Sequence, residues 1–136
     1  MKKPSTVRVV CGVLVENGSI LITQRPEHVP LALFWEFPGG KVDGEESLEE
    51  GMVRELREEL GIEVAVLRLL ETTHHHDDRQ SLSLFFFHCQ RLSGELTRCG
   101  VKDFRWVKPA ELQHYKFPDA DETFIRNLPQ LLANYF

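Results

Sequence analysis

Apolar positions along the 136-residue chain follow two rhythms. Residues 7–15 are apolar at nearly every position and rich in valine, the pattern of a strand covered on both faces. Asn17-Gly18 then supplies a tight-hairpin signal, and 20–23 returns as a second strand. Residues 25–33 carry Pro26 and Pro30 and read as loop. A short aromatic segment, 34–40, ends in Pro38-Gly39-Gly40. From Ser47 the period lengthens: Leu48, Met52, Val53, Leu56 and Leu60 form one stripe at helical spacing. Ser47 or Glu46 opens this helix, and Gly61 is placed to close it with a left-handed cap.

The remaining pattern predicts strands at 64–70, 82–89 and 104–107 and a short helix at 109–113. A last helix is expected from Asp121, with Phe124, Leu128, Leu131, Leu132 and Tyr135 on one side. Pro129 is expected to kink or split it, because proline has no N–H for the helical ladder. With no repeat, low-complexity stretch or linker, the expectation is one α/β or α+β domain over residues 1–136 with a mixed sheet.

Composition is that of a globular protein: 42% hydrophobic and 27% charged, with a net charge of −5. No basic stripe offers a groove for a nucleic-acid polymer. No apolar run approaches the roughly 18 residues of a membrane span. The basic N-terminus reads better as the approach to a strand than as a cleaved leader. Cys11, Cys89 and Cys99 show neither disulfide framework nor zinc spacing, and reduced, mostly buried thiols fit a cytoplasmic protein.

Charge is unevenly spread. Nine of the 21 acidic residues fall between Asp43 and Glu63, against only Arg54 and Arg57. Such a carboxylate cluster suits a hard divalent cation. Within it, Glu55, Glu58 and Glu59 stand at i, i+3 and i+4, so a helix projects them together. Gly39 and Gly40 leave backbone amides and carbonyls open to close approach by a metal or phosphate. Arg54, four residues from both Glu50 and Glu58, is expected to orient those carboxylates. A glutamate-rich helix face is by itself an ordinary solvated surface.

The spacing of nine residues removes that ambiguity: Gly40, Glu46, Arg54, Glu55, Leu56, Glu58, Glu59, Gly61 and Ile62. Residues 40–62 resemble the signature of the Nudix hydrolase family at every specified position. The resemblance implies a Nudix fold, an α/β/α sandwich around a mixed sheet, and metal-dependent cleavage of a nucleoside diphosphate linked to another group. It implies Glu55, Glu58 and Glu59 as catalytic residues and magnesium ligands, with the carbonyl of Gly39 or Gly40 completing the site and manganese as a substitute ion. Glu55 is the first choice for proton acceptor, and Glu46, Arg54 and Gly61 take structural roles.

Trp35-Glu36-Phe37-Pro38-Gly39-Gly40-Lys41, the hairpin ending Ile22-Thr23-Gln24-Arg25, and Phe117-Pro118-Asp119-Ala120-Asp121-Glu122 are similar to MutT-type enzymes within that family. These convert a nucleoside triphosphate to the monophosphate and pyrophosphate, some of them removing oxidised nucleotides. The likeness places Arg25, Glu36, Phe37, Pro38, Gly39 and Asp121 at the nucleotide. It implies a small-molecule partner and a monomer or homodimer. Two departures stand out. MutT-type enzymes carry asparagine where this chain has Asp121, which either contacts a base edge rich in donors or caps the last helix. The loop 97–103 lacks a glutamate that related enzymes place there, and Asp103 and Glu95 are the nearby acids. Two other readings stay open: a relative acting on a nucleotide sugar or ADP-ribose, and a module that senses a nucleotide without cutting it. Trp35 is expected in the core, His28 is a weaker candidate contact in the loop, and His74-His75-His76 with Asp77 and Asp78 reads as polar loop rather than a metal site.

Overall fold

The computed structural model describes residues 6–76, 78 and 80–136. The N-terminal basic residues and Asp77 lie outside them. Among the described residues, seven strands and two α-helices run in the order β1 (Thr6–Glu16), β2 (Ser19–Gln24), β3 (Trp35–Glu36), β4 (Gly39–Lys41), α1 (Leu48–Leu60), β5 (Glu63–His76), β6 (Ser81–Ser93), β7 (Asp103–Val107) and α2 (Glu122–Leu131). The sheet is mixed: β1 and β6 are parallel over nine residue pairs, and the other pairings are antiparallel.

Asn17 and Gly18 both adopt positive φ (52° and 74°), so Glu16 pairs directly with Ser19 in a two-residue hairpin. Beyond Val15 and Ile20 the two strands part, and the aromatic segment fills the gap. Trp35 and Glu36 pair with Gln24 and Thr23 of β2, the Gly12 N–H donates to the Pro38 carbonyl at 2.7 Å, and Gly39 to Lys41 pair with Cys11 to Val9 of β1. The double glycine is therefore fixed in the middle of the sheet.

Strand alternation gives β1 two buried faces. Val10 and Leu14 pack with Met52, Leu56 and Leu60 of α1, whereas Cys11 and Val13 pack with Phe124 and Leu128 of α2. Fully burying each of those α1 side chains contributes about 1.5–3 kcal/mol. The sheet thus separates two helical layers, the expected α/β/α arrangement. Gly12 has no side chain because a Cβ there would lie 3.1 Å from Met52 and 3.2 Å from Leu56.

Helix α1 has the caps its sequence calls for. Ser47 is the N-cap in a capping box with Glu50, and Gly61 closes the helix at φ 71°. The short 109–113 helix is a 3₁₀ turn, Pro109–His114. Two expectations change. Helix α2 runs through Pro129 without splitting and stops two residues later; proline removes one bond close to an end that terminates anyway. Strand β5 extends six residues past the expected end, so His74, His75 and His76 lie in strand rather than loop. Cys11 and Cys89 are buried, but Cys99 is exposed. Among the described residues no helix is long and apolar enough to cross a membrane.

Candidate active site

The sheet splay, α1 and the loops after β2 and β6 enclose a cleft of about 1090 Å³. Arg25, His28, Glu36, Phe37, Gly39, Gly40, Glu55, Glu59 and Asp121 line it. Nine residues are thus gathered from four separate stretches of chain. Pro38 and Glu58 do not line it: the Pro38 carbonyl is consumed by Gly12, and Glu58 is 59% exposed and turned to Arg54.

The expected convergence of three carboxylates is met by two. Glu55 lies against Gly40 so closely that a methyl group there would fall 2.5 Å from its Oε2. Glu59 accepts the backbone N–H of Gly39, while its Oε2 is buried with no partner. Burial, together with the negative charges of Glu36 and Glu55, pushes the Glu59 carboxyl up to about 9. Burial also raises Glu55, an effect opposed by Arg54. An orphaned carboxylate oxygen beside a second carboxylate and two glycines is costly in the free protein and complementary to a cation. Among the described residues no three His, Cys, Asp or Glu side chains gather tightly enough to cage an ion by themselves. Magnesium is commonly held by one or two carboxylates, with phosphate and water filling its other positions. The residues present fit such an ion.

Arg54 braces this arrangement. Its guanidinium donates to both oxygens of Glu46 (2.7 and 3.0 Å), to Glu55 and Glu58 (3.1 Å each) and to the Lys41 carbonyl (3.0 Å). Glu50 is not among its partners, because the capping box takes that carboxylate. Glu46 also accepts from the Asp43 amide and so ties the entry loop to α1. Arg54→Ala takes the guanidinium from the half-buried Glu55 and leaves Glu46 with only the Asp43 amide, and urea unfolding is expected to show a loss of about 2 kcal/mol. Arg54→Lys should recover little, since an ammonium lacks the planar fork.

The far end of the cleft is acidic too. Asp121 is 4% exposed and occupies the N-cap of α2, yet its side chain accepts no backbone N–H there. Capping therefore does not explain it. Burial first, then the charge of Glu36, pushes its carboxyl up to about 7. Arg25 meets Glu36 at 3.1 Å and reaches the Pro30 carbonyl at 2.8 Å, closing the loop over the cleft. Phe37 is core, edge-on to Phe86 and Phe124, with only part of it reaching the cleft; Trp35 is core as expected, edge-on to Tyr115. In the 97–103 loop, the Cys99 and Gly100 amides both donate to the Glu59 carbonyl, fixing that turn of α1. Asp103 is held by Arg98 and its own strand, and Glu95 is exposed; neither lines the cleft. Sequence reasoning missed Cys11 and Lys102 as cleft residues. The alternation of β1 carried the signal for Cys11; Lys102, which pairs with Glu27 from the opposite loop, left none.

The sequence profile of the NUDIX domain matches residues 4–128. The chain belongs to the Nudix family. Its Nudix relatives include the CTP pyrophosphohydrolase of Escherichia coli, 35% identical over 115 residues and covering 85% of each chain. The 8-oxo-dGTP diphosphatase of Haemophilus influenzae is 36% identical over 131 residues, 95% of this chain and 96% of the relative. The solution structure of the E. coli ORF135 protein superposes with a TM-score of 0.83 at 32% identity, covering 96% of this chain and 94% of that one. A MutT protein from Methanosarcina mazei, 22% identical, shares the fold with a TM-score of 0.84 over 96% of this chain and 97% of that one. Like its Nudix relatives, this protein is a hydrolase acting on acid anhydrides.

Proposed function

We propose that the protein hydrolyses a nucleoside triphosphate to the monophosphate and pyrophosphate, with magnesium held between Glu55, Glu59 and the backbone of Gly39 and Gly40, and Glu58 contributing from the rim. The observation that carries this is the unpartnered Glu59 Oε2 buried beside Glu55 at the double glycine. A bound magnesium ion screens the diphosphate charge and makes a water molecule more acidic. Glu55, kept in place by Arg54, accepts the proton as water oxygen bonds to phosphorus and the bridging P–O bond breaks. The glycine amides and carbonyls hold position because β4 is paired to β1, so little reorganisation accompanies the charge shift. Manganese is expected to substitute.

At the other end, Glu36 and Asp121 form a wall that favours a base edge presenting N–H groups, as cytosine and oxidised or normal guanine do. Arg25 adds a donor beside them. We read the protein as cytoplasmic and acting on the free nucleotide pool, supported by its net charge of −5, which disfavours a polymer. A panel of CTP, dCTP, 8-oxo-dGTP, dGTP, ADP-ribose and a nucleotide sugar, with products resolved by chromatography, tests this. Pyrophosphate from a triphosphate is expected; turnover of only the last two compounds, or of none, contradicts it.

Asp121 also predicts a pH effect. An acid raised from its ordinary 3.8 to about 7 binds more protons folded than unfolded across that window, so stability falls as pH rises from about 4 through about 7. Asp121→Asn should flatten this slope in thermal melts, and, by offering both donor and acceptor, shift base preference toward guanine-type substrates.

A further inference from the structure

The run His74-His75-His76 lies on β5, the outer strand of the sheet, and none of the three lines the cleft. The register with β6 sets His74 opposite Ser83, His75 opposite Leu82 and His76 opposite Ser81. Because successive strand residues point to opposite faces, His74 and His76 share a face, about 7 Å apart, and His75 takes the other. Both His74 and His76 are exposed. Each faces the serine across from it: His74 Nδ1 lies 2.9 Å from Ser83 Oγ, and Ser81 Oγ lies 3.0 Å from His76 Nδ1 and 3.4 Å from its Nε2. Ser83 is itself 6% exposed, which makes it a firm anchor. At His74 the hydrogen bond at Nδ1 orients the imidazole and leaves Nε2 for a metal; at exposed His76 a single hydroxyl engages one nitrogen at a time, which leaves the other for a metal.

We propose that His74 and His76 form a two-ligand site for a borderline transition-metal ion such as zinc, separate from the carboxylate site in the cleft. Imidazole nitrogens suit zinc, nickel and copper and discriminate against magnesium, which prefers oxygen. The same alternation that keeps three consecutive histidines from converging brings the first and third together. Among the described residues no third His, Cys, Asp or Glu joins them, so two of zinc's four positions go to water or to the matching pair of a second copy.

Zinc titration of the intact protein by calorimetry, in excess magnesium to occupy the carboxylates, tests the site. The expected result is one zinc per chain, or half a zinc per chain with a doubled mass in sedimentation. His74→Ala and His76→Ala should each abolish this uptake, Ser83→Ala should weaken it about tenfold, and His75→Ala should leave it intact. His74→Gln, which retains a polar partner for Ser83, replaces the alanine variant if that one fails to fold. Magnesium-dependent hydrolysis should be the same in all the folded variants. No zinc uptake by the unaltered protein, uptake that survives loss of His74 or His76, or equal loss in His75→Ala overturns the proposal.

Discussion

Glu59→Gln is expected to lower kcat on the order of a thousandfold while leaving the protein folded and, without metal, more stable. The rate loss follows from removing a charge aimed at the reacting phosphates, an effect of the size seen when one preorganised electrostatic group is lost. The gain in stability follows from the free protein's own chemistry. A carboxyl raised to about 9 contributes stability that is fully present below its ordinary 4.5 and is lost as pH rises through about 9, so at neutral pH and above it opposes folding. Glutamine carries no charge and so escapes that penalty. Thermal melts with and without magnesium check both halves: the native protein gains stability from the ion by mass action, and the variant starts higher but gains little. A variant less stable than the native protein without metal, or one retaining most of its rate, would refute the placement of Glu59.

The two glycines give the second large effect, and they part ways. In Gly39→Ala the new Cβ would meet the Val10 carbonyl oxygen at 1.9 Å, a contact with paired backbone that relaxes only if β4 leaves β1. A loss of about 3 kcal/mol is expected, with Tm lower by about 10 °C. In Gly40→Ala the clash is with the Glu55 carboxylate, the flexible end of a side chain. The fold should survive with a Tm close to native, and the rate should fall because Glu55 is pushed from its place. Calorimetry and kinetics on the pair separate backbone pairing from metal holding; equal losses of stability in both would contradict the geometry.

Features set by local rules were legible in the sequence. The Asn17-Gly18 hairpin follows from residues that tolerate positive φ, and α1 follows from Ser47, Gly61 and a stripe of large apolar residues. The site was legible through the spacing of its glutamates but not through their final directions. At about 100° per residue, Glu59 and Glu58 lie on opposite sides of Glu55. The cleft is on the Glu59 side and Arg54 on the Glu58 side, so docking onto the sheet decides which carboxylate turns inward. Strand β5 ran past its expected end because its last residues, Thr72 to His76, lie on an edge and lack apolar alternation; three register shifts further blur the period. Asp121 was ambiguous because an acid at a helix start usually caps it, and only tertiary burial shows that its side chain serves the cleft instead.

The placement of the ion is most directly measured by adding substoichiometric manganese to the isotopically labelled protein and following paramagnetic broadening of its amide signals. Gly39, Gly40, Glu55 and Glu59 should vanish first, with excess magnesium restoring them. Broadening centred anywhere else in the fold, or unaffected by magnesium, would show that the glutamates and the double glycine do not share a cation.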